Sequence, residues 1–205
     1  MKNNIEIFCT LGPASLNKKF LVFSNKKINL LRINMSHIQI NKLKPMIKFI
    51  KKYSSVPICI DTEGAQIRTK VKFKKKYLIN KTILLSKNKG FFRLYPSYVF
   101  DQLKVGDLLE IGFEGLEAKV QRVKKNFAKL ISTNSGILEP NKGVNIKNRN
   151  LKLNFLTEKD HKAIKIAKKL KVKNFALSFT NTKQDIKNFN KLLKKSKKIY
   201  KIETQ

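Results

Sequence analysis

The chain has 205 residues, 41% of them hydrophobic, so it can bury a sizeable core and lacks the composition of a disordered basic tail. Its 46 lysine and arginine residues face only 13 acidic residues, and the net charge of +33 favours contact with polyanions. No apolar run approaches the roughly 20 residues of a membrane span, and "MKNNIEIFCT" enters a strand-like run too early for a signal peptide. We therefore expect a cytoplasmic protein without membrane contact.

The positive charge is spread along the whole chain and is not gathered in one block. Lysine-coated, solvated faces in a chain of biased composition explain it more simply than dedicated nucleic-acid binding. We therefore expect RNA or DNA to bind only non-specifically, through the basic surface. The two cysteines, Cys9 and Cys59, lie in apolar stretches and fit reduced thiols in a cytosolic core.

The first third of the sequence alternates between short apolar runs and segments with helical periodicity. Leu43, Ile47 and Ile50 recur at helical spacing, and Pro45 among them predicts a helix start or a bend. We predict strands over 5–10, 28–36 and 56–61, and helices over 16–24 and 39–53.

From about residue 70 the rhythm changes to short β-type segments separated by the turn signals "NKG", "VGD", "FEG" and "NSG". Helical rhythm returns at Thr157, which is followed three residues later by Asp160 in a capping-box-like pattern. Thr182 and Asp185 repeat that pattern at the start of another helix. We predict a fourth strand over 172–180 and a fifth over 199–203.

Near-continuous apolar strands that alternate with helices predict a parallel sheet covered on both faces. The order is that of the opening of a β/α barrel with a β-rich insertion after its third strand, and it reaches five strands where a closed barrel has eight. The predicted domains are 1–69, the first part of the β/α barrel; 70–149, the insertion; and 150–205, the continuation of the β/α barrel.

Each predicted parallel strand ends in polar residues, and in β/α barrels these carboxyl ends form the active-site face. The residues at the strand ends are Arg32, Asn34, Ser36, His37, Asp61, Thr62, Arg68, Ser178, Lys201 and Glu203. Taken singly, each has an ordinary explanation, such as a helix cap or an exposed pair. Their occurrence at successive strand ends favours a site that binds phosphate and cations.

Seven motifs, in order along essentially the whole chain, resemble those of the pyruvate kinase family. They are "CTLGPAS" (9–15), "RINMSH" (32–37), "DTEGAQIRT" (61–69), "NKGVN" (141–145), "LTEKD" (156–160), "FALSFT" (175–180) and "KIETQ" (201–205). The resemblance implies a (β/α)8 TIM-type barrel, here incomplete with about five strands. It also implies that the domain inserted after strand 3 is a small all-β barrel that acts as a lid.

The resemblance implies a glycolytic phosphotransferase that moves the phosphoryl group of phosphoenolpyruvate to ADP, giving pyruvate and ATP. Arg32 would contact the phosphate of phosphoenolpyruvate, and Lys201 would stabilise the phosphoryl group in the transition state, so both are expected to bind substrate and to act in catalysis. The expected nucleotide-binding residues are Asn34, Ser36, His37, Arg68 and Lys142.

The resemblance also implies two kinds of cation. Glu203 would bind divalent Mg²⁺ or Mn²⁺, and the monovalent K⁺ would be held by Asn34, Ser36, Asp61 and Thr62. Where this chain reads "DTEGAQIRT", the family usually has Asp-Thr-Lys-Gly-Pro-Glu-Ile-Arg-Thr. Gln66 stands where a glutamate accompanies potassium dependence and a lysine accompanies independence, so the potassium requirement stays open.

The family's second metal-binding aspartate and its last three barrel strands correspond to positions after Gln205. One metal carboxylate without its partner should hold the ion weakly, so we expect a 205-residue chain alone to have little or no turnover. One alternative is a degenerate relative that binds ligands without catalysis. Another is a basic nucleic-acid-binding protein, which the motifs disfavour because lysine alone would not require Asp61, Thr62 or Glu203. Family members are commonly oligomers, so the resemblance leaves a homo-oligomer open without assigning an oligomeric state.

Overall fold

The computed structural model describes residues 5–112 and 115–203. The contacts divide the chain into two compact units, which we call the sheet unit (Met1–Ala65 with Asn154–Gln205) and the barrel unit (Gln66–Leu153). In chain order the elements are β1 (Phe8–Thr10), α1 (Lys18–Lys27), β2 (Leu30–Asn34), α2 (Ile40–Tyr53), β3 (Ile58–Asp61), β4 (Ile67–Val71), β5 (Lys75–Tyr77), β6 (Thr82–Ser86), β7 (Phe92–Tyr95), a 3-10 helix (Ser97–Gln102), β8 (Leu108–Ile111), β9 (Leu116–Val123), β10 (Phe127–Ser132), β11 (Gly136–Leu138), β12 (Gly143–Ile146), α3 (Glu158–Lys169), β13 (Asn174–Leu177), α4 (Lys183–Leu192) and β14 (Lys197–Tyr200).

The sheet unit is built on a five-stranded sheet in the order β1-β2-β3-β13-β14. Every neighbouring pair is parallel, so the carboxyl ends of all the strands lie along the same edge. One face of the sheet packs against the helices in a core that contains Leu31, Ile60, Phe175 and Phe189, all essentially inaccessible to solvent. Burial of these apolar side chains stabilises the packing of the helices on the sheet.

The helix starts follow the sequence pattern closely. Thr157 caps α3 and Thr182 caps α4, and in both cases the threonine hydroxyl accepts a hydrogen bond from the third helical residue while the aspartate side chain there returns one. The two predicted capping boxes are therefore confirmed. Pro45 lies inside α2, which begins five residues earlier at Ile40, so the proline does not mark the helix start.

The barrel unit contains a closed barrel of seven strands in the order β10-β6-β7-β4-β12-β8-β9. A separate two-stranded sheet pairs β5 with β11. The barrel interior is filled by side chains from every strand, among them Ile83, Phe92, Leu109 and Leu130, each fully buried. Alternate residues of each strand point inward, which leaves the lysine-rich positions between them on the outer surface.

The predicted fifth strand, 199–203, is displaced. The structure has β14 at Lys197–Tyr200, so Lys201 and Glu203 follow the strand and do not belong to it. Within the two described ranges, no α-helix combines the length and the apolar character that a membrane crossing requires.

Candidate functional site

The carboxyl edge of the five-stranded sheet brings four polar side chains together. Arg32 lies on β2, Asp61 is the last residue of β3, Ser178 directly follows β13, and Lys201 directly follows β14. Because these strands are parallel neighbours, their carboxyl ends meet at one edge. The convergence expected from the sequence is therefore found in the geometry for these residues.

The carboxylate of Asp61 is the centre of this cluster. Arg32 donates to Asp61 Oδ2 from Nε at 2.7 Å and also from Nη2. The Lys201 ammonium lies 3.3 Å from Oδ2 and 3.5 Å from Oδ1 of the same carboxylate. The Ser178 hydroxyl donates to Oδ1 at 2.9 Å, and Thr10 Oγ1 accepts from Arg32 Nη1 at 2.9 Å.

Glu203 adds a second carboxylate beside Lys201. Its Oε1 lies 3.1 Å from the Lys201 ammonium, and its Oε2 accepts a hydrogen bond from the backbone N–H of Phe179 at 3.2 Å. Lys201 also contacts the Ser178 hydroxyl at 3.1 Å. The Lys201 ammonium thus contacts side chains at the carboxyl ends of three strands, namely Asp61, Ser178 and Glu203.

The charge balance of this cluster explains why a buried carboxylate is tolerated. Only 1% of the Asp61 side chain is exposed, and a buried carboxylate is costly unless cations and hydrogen bonds compensate it. Arg32 and Lys201 provide two cations, and they keep 31% and 26% of their own side-chain surface exposed. Asp61 therefore orients two cations that still reach solvent, where an anionic ligand could meet both.

The nearby residues expected to bind K⁺ or nucleotide lie at the carboxyl end of β2 or in the segments that follow β2 and β3. Asn34 pairs with Asp61 in the sheet register, and its side-chain oxygen accepts from the Ser36 N–H at 3.0 Å. Thr62 is buried, and its hydroxyl oxygen accepts from the Ser178 N–H at 3.1 Å. His37 is exposed, and its backbone N–H donates to the Asn34 carbonyl at 3.2 Å.

A partly buried ion pair, the Glu63–Lys159 pair, supports the same edge. The Lys159 ammonium donates to Glu63 Oε1 at 2.8 Å and to the Met35 carbonyl at 2.5 Å. Thr157 donates from its hydroxyl to Glu63 Oε2 at 3.0 Å. Since the Met35 N–H also donates to the Asp61 carbonyl at 2.9 Å, the pair joins the start of α3 to the turns after β2 and β3.

Asp160 fixes the turn after β3 in a second way. Its carboxylate accepts from the backbone N–H groups of Glu63 at 2.7 Å, Gly64 at 3.1 Å and Thr157 at 3.0 Å. Burial raises the pKa of Asp160, and these N–H donors oppose the shift. Gly64 has a φ of +68°, and a Cβ there would lie 2.1 Å from the Ser178 carbonyl oxygen, so this turn requires glycine.

The remaining predicted nucleotide-binding residues, Arg68 and Lys142, are neighbours in the barrel unit. Arg68 on β4 pairs with Gly143 on β12, and its Nη1 donates to the Asn141 carbonyl at 3.2 Å. Lys142 is 48% exposed and forms an ion pair with Glu139 at 2.8 Å. The two basic residues thus belong to one end of the β4–β12 pair.

The described residues supply part of what the two expected cations need. Mg²⁺ is usually bound through one or two carboxylates together with substrate phosphates, and Glu203 offers one such carboxylate. Within the part of the chain that the structure describes, no group of three or more His, Cys, Asp or Glu side chains is arranged to hold a metal. The expected K⁺ residues Asn34, Ser36, Asp61 and Thr62 carry oxygen donors, the kind of ligand that coordinates K⁺. In this structure the oxygens of Asn34, Asp61 and Thr62 accept hydrogen bonds within the protein.

Sequence reasoning missed two supports of the site. Thr10, the last residue of β1, contacts Arg32 and could have been found from its place at a strand end. The Glu63–Lys159 pair joins residues 96 positions apart, so no local pattern reveals it. Lys159 lies in the "LTEKD" motif, whose pattern indicates a helix start and a family resemblance but no ion pair.

The sequence matches the family described as "Pyruvate kinase, barrel domain" over residues 2–205. Pyruvate kinase from Chlamydia trachomatis is 29% identical over 202 residues, which cover 92% of this chain and 41% of that protein. Pyruvate kinase from Chlamydia muridarum is 30% identical, covering 92% and 42%, and that from Geobacillus stearothermophilus is 30% identical, covering 94% and 35%. The chain therefore spans about two fifths of the length of these relatives, or less.

Proposed function

Because the chain belongs to the pyruvate kinase family, we propose that the Arg32–Asp61–Lys201 cluster binds the phosphoryl group that phosphoenolpyruvate transfers to ADP. The observation that carries the proposal is the meeting of a guanidinium and an ammonium on one buried carboxylate at the carboxyl edge of a parallel sheet. The sheet unit would be the first part of a (β/α)8 barrel, and the barrel unit would be the domain inserted after its third strand.

Phosphoryl transfer spreads negative charge over the oxygens of a loosely bonded phosphoryl group, and catalysis consists mainly of positioning and electrostatic stabilisation. Arg32 can offer planar N–H donors to the phosphate of phosphoenolpyruvate. Lys201 can place a compact ammonium against the phosphoryl oxygens as charge develops. Asp61 holds both cations in place before the substrate arrives, with Thr10 also contacting Arg32 and Ser178 also contacting Lys201. This arrangement reduces the reorganisation needed during the reaction.

Glu203 would hold Mg²⁺ or Mn²⁺, and Asn34, Ser36, Asp61 and Thr62 would hold K⁺. When bound, these cations would neutralise phosphate charge beside the two basic side chains. On the nucleotide side, Arg68 and Lys142 would bind phosphates of ADP, with Asn34, Ser36 and His37 near the nucleotide. Gln66 is neither the glutamate that accompanies potassium dependence in the family nor the lysine that accompanies independence. The potassium requirement must therefore be measured.

A second candidate function is ligand binding without catalysis. It is favoured by the single divalent-metal carboxylate, Glu203, that the described residues offer near Lys201. Both candidates require that phosphoenolpyruvate binds at Arg32 and Lys201, so binding and turnover must be measured separately.

The test uses the full chain and three variants, Arg32→Met, Lys201→Met and the control Lys197→Met. Lys197 is an exposed lysine at the opposite end of β14, so its substitution removes the same charge away from the proposed site. Calorimetry measures phosphoenolpyruvate binding with Mg²⁺ present, in KCl and in tetramethylammonium chloride. A coupled assay measures pyruvate formation with ADP.

We expect Arg32→Met to weaken phosphoenolpyruvate binding at least about tenfold, because a charge-assisted contact to phosphate is lost. Lys201→Met should abolish any turnover, and Lys197→Met should behave like the unmodified chain. Binding without turnover in the unmodified chain would favour the second candidate function. Equal binding by all four proteins would contradict both candidates.

A further inference from the structure

One outer face of the barrel unit alternates aromatic and basic side chains. In the antiparallel pair of β4 and β7, Lys70 lies opposite Arg93, and the inward positions Phe92 and Leu94 are buried. Because alternate residues of a strand share a face, Arg93 and Tyr95 lie on the outer side. Phe91 directly precedes β7 and is half-buried, with part of its ring packed against the core of the barrel unit. Phe73, in the segment after β4, and Lys75, the first residue of β5, adjoin this face through their contacts with Phe91. We call the six residues Lys70, Phe73, Lys75, Phe91, Arg93 and Tyr95 the aromatic–basic strip.

The strip displays an aromatic pair to solvent. The Phe73 and Phe91 rings lie 4.8 Å apart between centroids, tilted by 51°. Phe73 is nevertheless 61% exposed, so the contact with Phe91 covers only part of its surface. A phenylalanine ring left open beside charged side chains loses hydrophobic stabilisation that burial would provide, and such exposed rings are typical of binding surfaces.

The cations of the strip lie beside these rings. The Lys70 ammonium is 5.1 Å from the centre of the Tyr95 ring. The Lys75 ammonium is 5.0 Å from the centre of the Tyr77 ring and 5.8 Å from that of Phe91. These distances are within the range of cation–π attraction, which holds the flexible lysine side chains over the face. Arg93 is oriented by a hydrogen bond from Nη1 to the Asn88 carbonyl at 3.1 Å.

We propose that the aromatic–basic strip binds single-stranded nucleic acid, with phosphates at its three cations and unstacked bases on its rings. Positive charge that follows the backbone, combined with aromatic rings on which bases stack, is the combination that single-strand-binding surfaces use. A duplex keeps the faces of its bases stacked inside, so it can use the cations but not the rings. The net charge of +33 supplies the long-range attraction that brings a polyanion to this face.

The experiment separates the strip from the general lysine coat by using paired variants of the full chain. Arg93→Glu is compared with Arg122→Glu, an exposed arginine on β9, so both variants have the same net charge. Phe73→Ala is compared with Phe127→Ala, a phenylalanine on β10 that is 40% exposed. Fluorescence anisotropy measures binding of a 15-nucleotide oligo(dT), an oligo(rU) of equal length and a 15-base-pair duplex between 50 and 400 mM NaCl. Circular dichroism checks that each variant is folded.

We expect Phe73→Ala to weaken single-strand binding at least about fivefold, the lower end of what one stacked base contributes. Phe127→Ala should change it less than twofold. Arg93→Glu should lower the slope of log affinity against log salt by about 0.7, the value for one lost phosphate contact on a single strand, and Arg122→Glu should lower it less.

Tighter binding of either single strand than of the duplex supports the proposal, and the preferred oligomer identifies the class of polymer. Photo-crosslinking with a 5-iodouracil oligomer should map to the peptides that carry Phe73, Phe91 or Tyr95. Equal losses in the members of each variant pair, or equal affinity for single strands and duplex, would show that only the diffuse charge of the surface binds and would overturn the proposal.

Discussion

Replacing Lys159 by methionine should destabilise the sheet unit by about 2–3 kcal/mol. The change keeps the length and the helix propensity of the side chain but leaves the Glu63 carboxylate, 8% exposed, without its cation. Breaking a buried ion pair from one side costs about 3–5 kcal/mol. We place the effect below that range because Lys159 is 24% exposed and the Thr157 hydroxyl still donates to Glu63.

Substitutions of Glu63, alone and together with Lys159→Met, should show that the two side chains stabilise the fold as a pair. Glu63→Gln alone should lower the free energy of unfolding by about 1 kcal/mol. Lys159 loses one charged contact, but the amide oxygen still accepts a hydrogen bond, so the loss is small. The double variant should be at least about 1 kcal/mol more stable than the sum of the single changes predicts, as expected for residues in direct contact. Glu63→Lys, which introduces the residue usual in the family, should be strongly destabilising here because two ammonium groups would face each other.

Urea unfolding should be followed through the thiol of Cys59 in a Cys9→Ser background, because both cysteines of the chain lie in the sheet unit. A thiol-reactive chromophore then reports the opening of this unit alone. Lys162→Met is the control: Lys162 is exposed on the same helix, and its substitution should shift the free energy of unfolding by less than about 0.5 kcal/mol. Equal shifts for the two lysine variants, or additive effects in the double variant, would refute this account of the Glu63–Lys159 pair.

Three further predictions concern single positions. Gly64→Ala should cost about 3 kcal/mol or more in urea unfolding, because it combines a positive φ with a Cβ 2.1 Å from the Ser178 carbonyl oxygen; a loss below about 1 kcal/mol would contradict the described turn. Burial raises the pKa of Cys59 to about 12, so iodoacetamide at pH 8 should alkylate Cys9 and spare Cys59 in the folded chain, as peptide mass mapping can check. Hydrogen bonds from two lysines lower the pKa of Glu139 from 4.5 to about 2, so its contribution to stability is present above pH 4.5 and is lost as the pH falls through about 2. Glu139→Gln should remove that part of the acid dependence in a near-ultraviolet dichroism titration, and an unchanged titration would contradict the pairing.

The sequence predicts local features of this chain well where one segment carries the whole signal. The two threonine–aspartate pairs specify the starts of α3 and α4 because a capping box needs only four consecutive residues. The apolar run before Asp61 identifies β3, whose four residues are all buried. The polar strand ends could also be placed together, since parallel strands deliver their carboxyl ends to one edge.

Features that depend on distant partners could not be predicted in the same way. The apolar pattern predicts a strand over 199–203. Pairing with β13 instead places Tyr200 opposite Leu177, so β14 ends there and begins two residues earlier than predicted. Its first two residues are lysines, which by themselves look like part of a turn. The strand order of the seven-stranded barrel likewise depends on tertiary pairing, which periodicity does not encode. The resemblance assigns Asp61 to K⁺ binding, which stays a prediction; its ion pairs with Arg32 and Lys201 join distant residues that no local pattern relates.

The pairing of β4 with β12 has a consequence for the order in which the chain folds. Asp61 and Ser178, whose side chains meet at the sheet edge, are 117 residues apart in sequence, so their contact requires closing a long loop. Thr69 and Lys142, which lie within that loop, are 73 residues apart and hydrogen-bond across the β4–β12 pair. If the barrel unit forms first, the effective loop is shorter by that span, which reduces the entropic cost of joining β3 to β13 by about 1 kcal/mol. Early closure of the barrel would therefore accelerate assembly of the parallel sheet about fivefold.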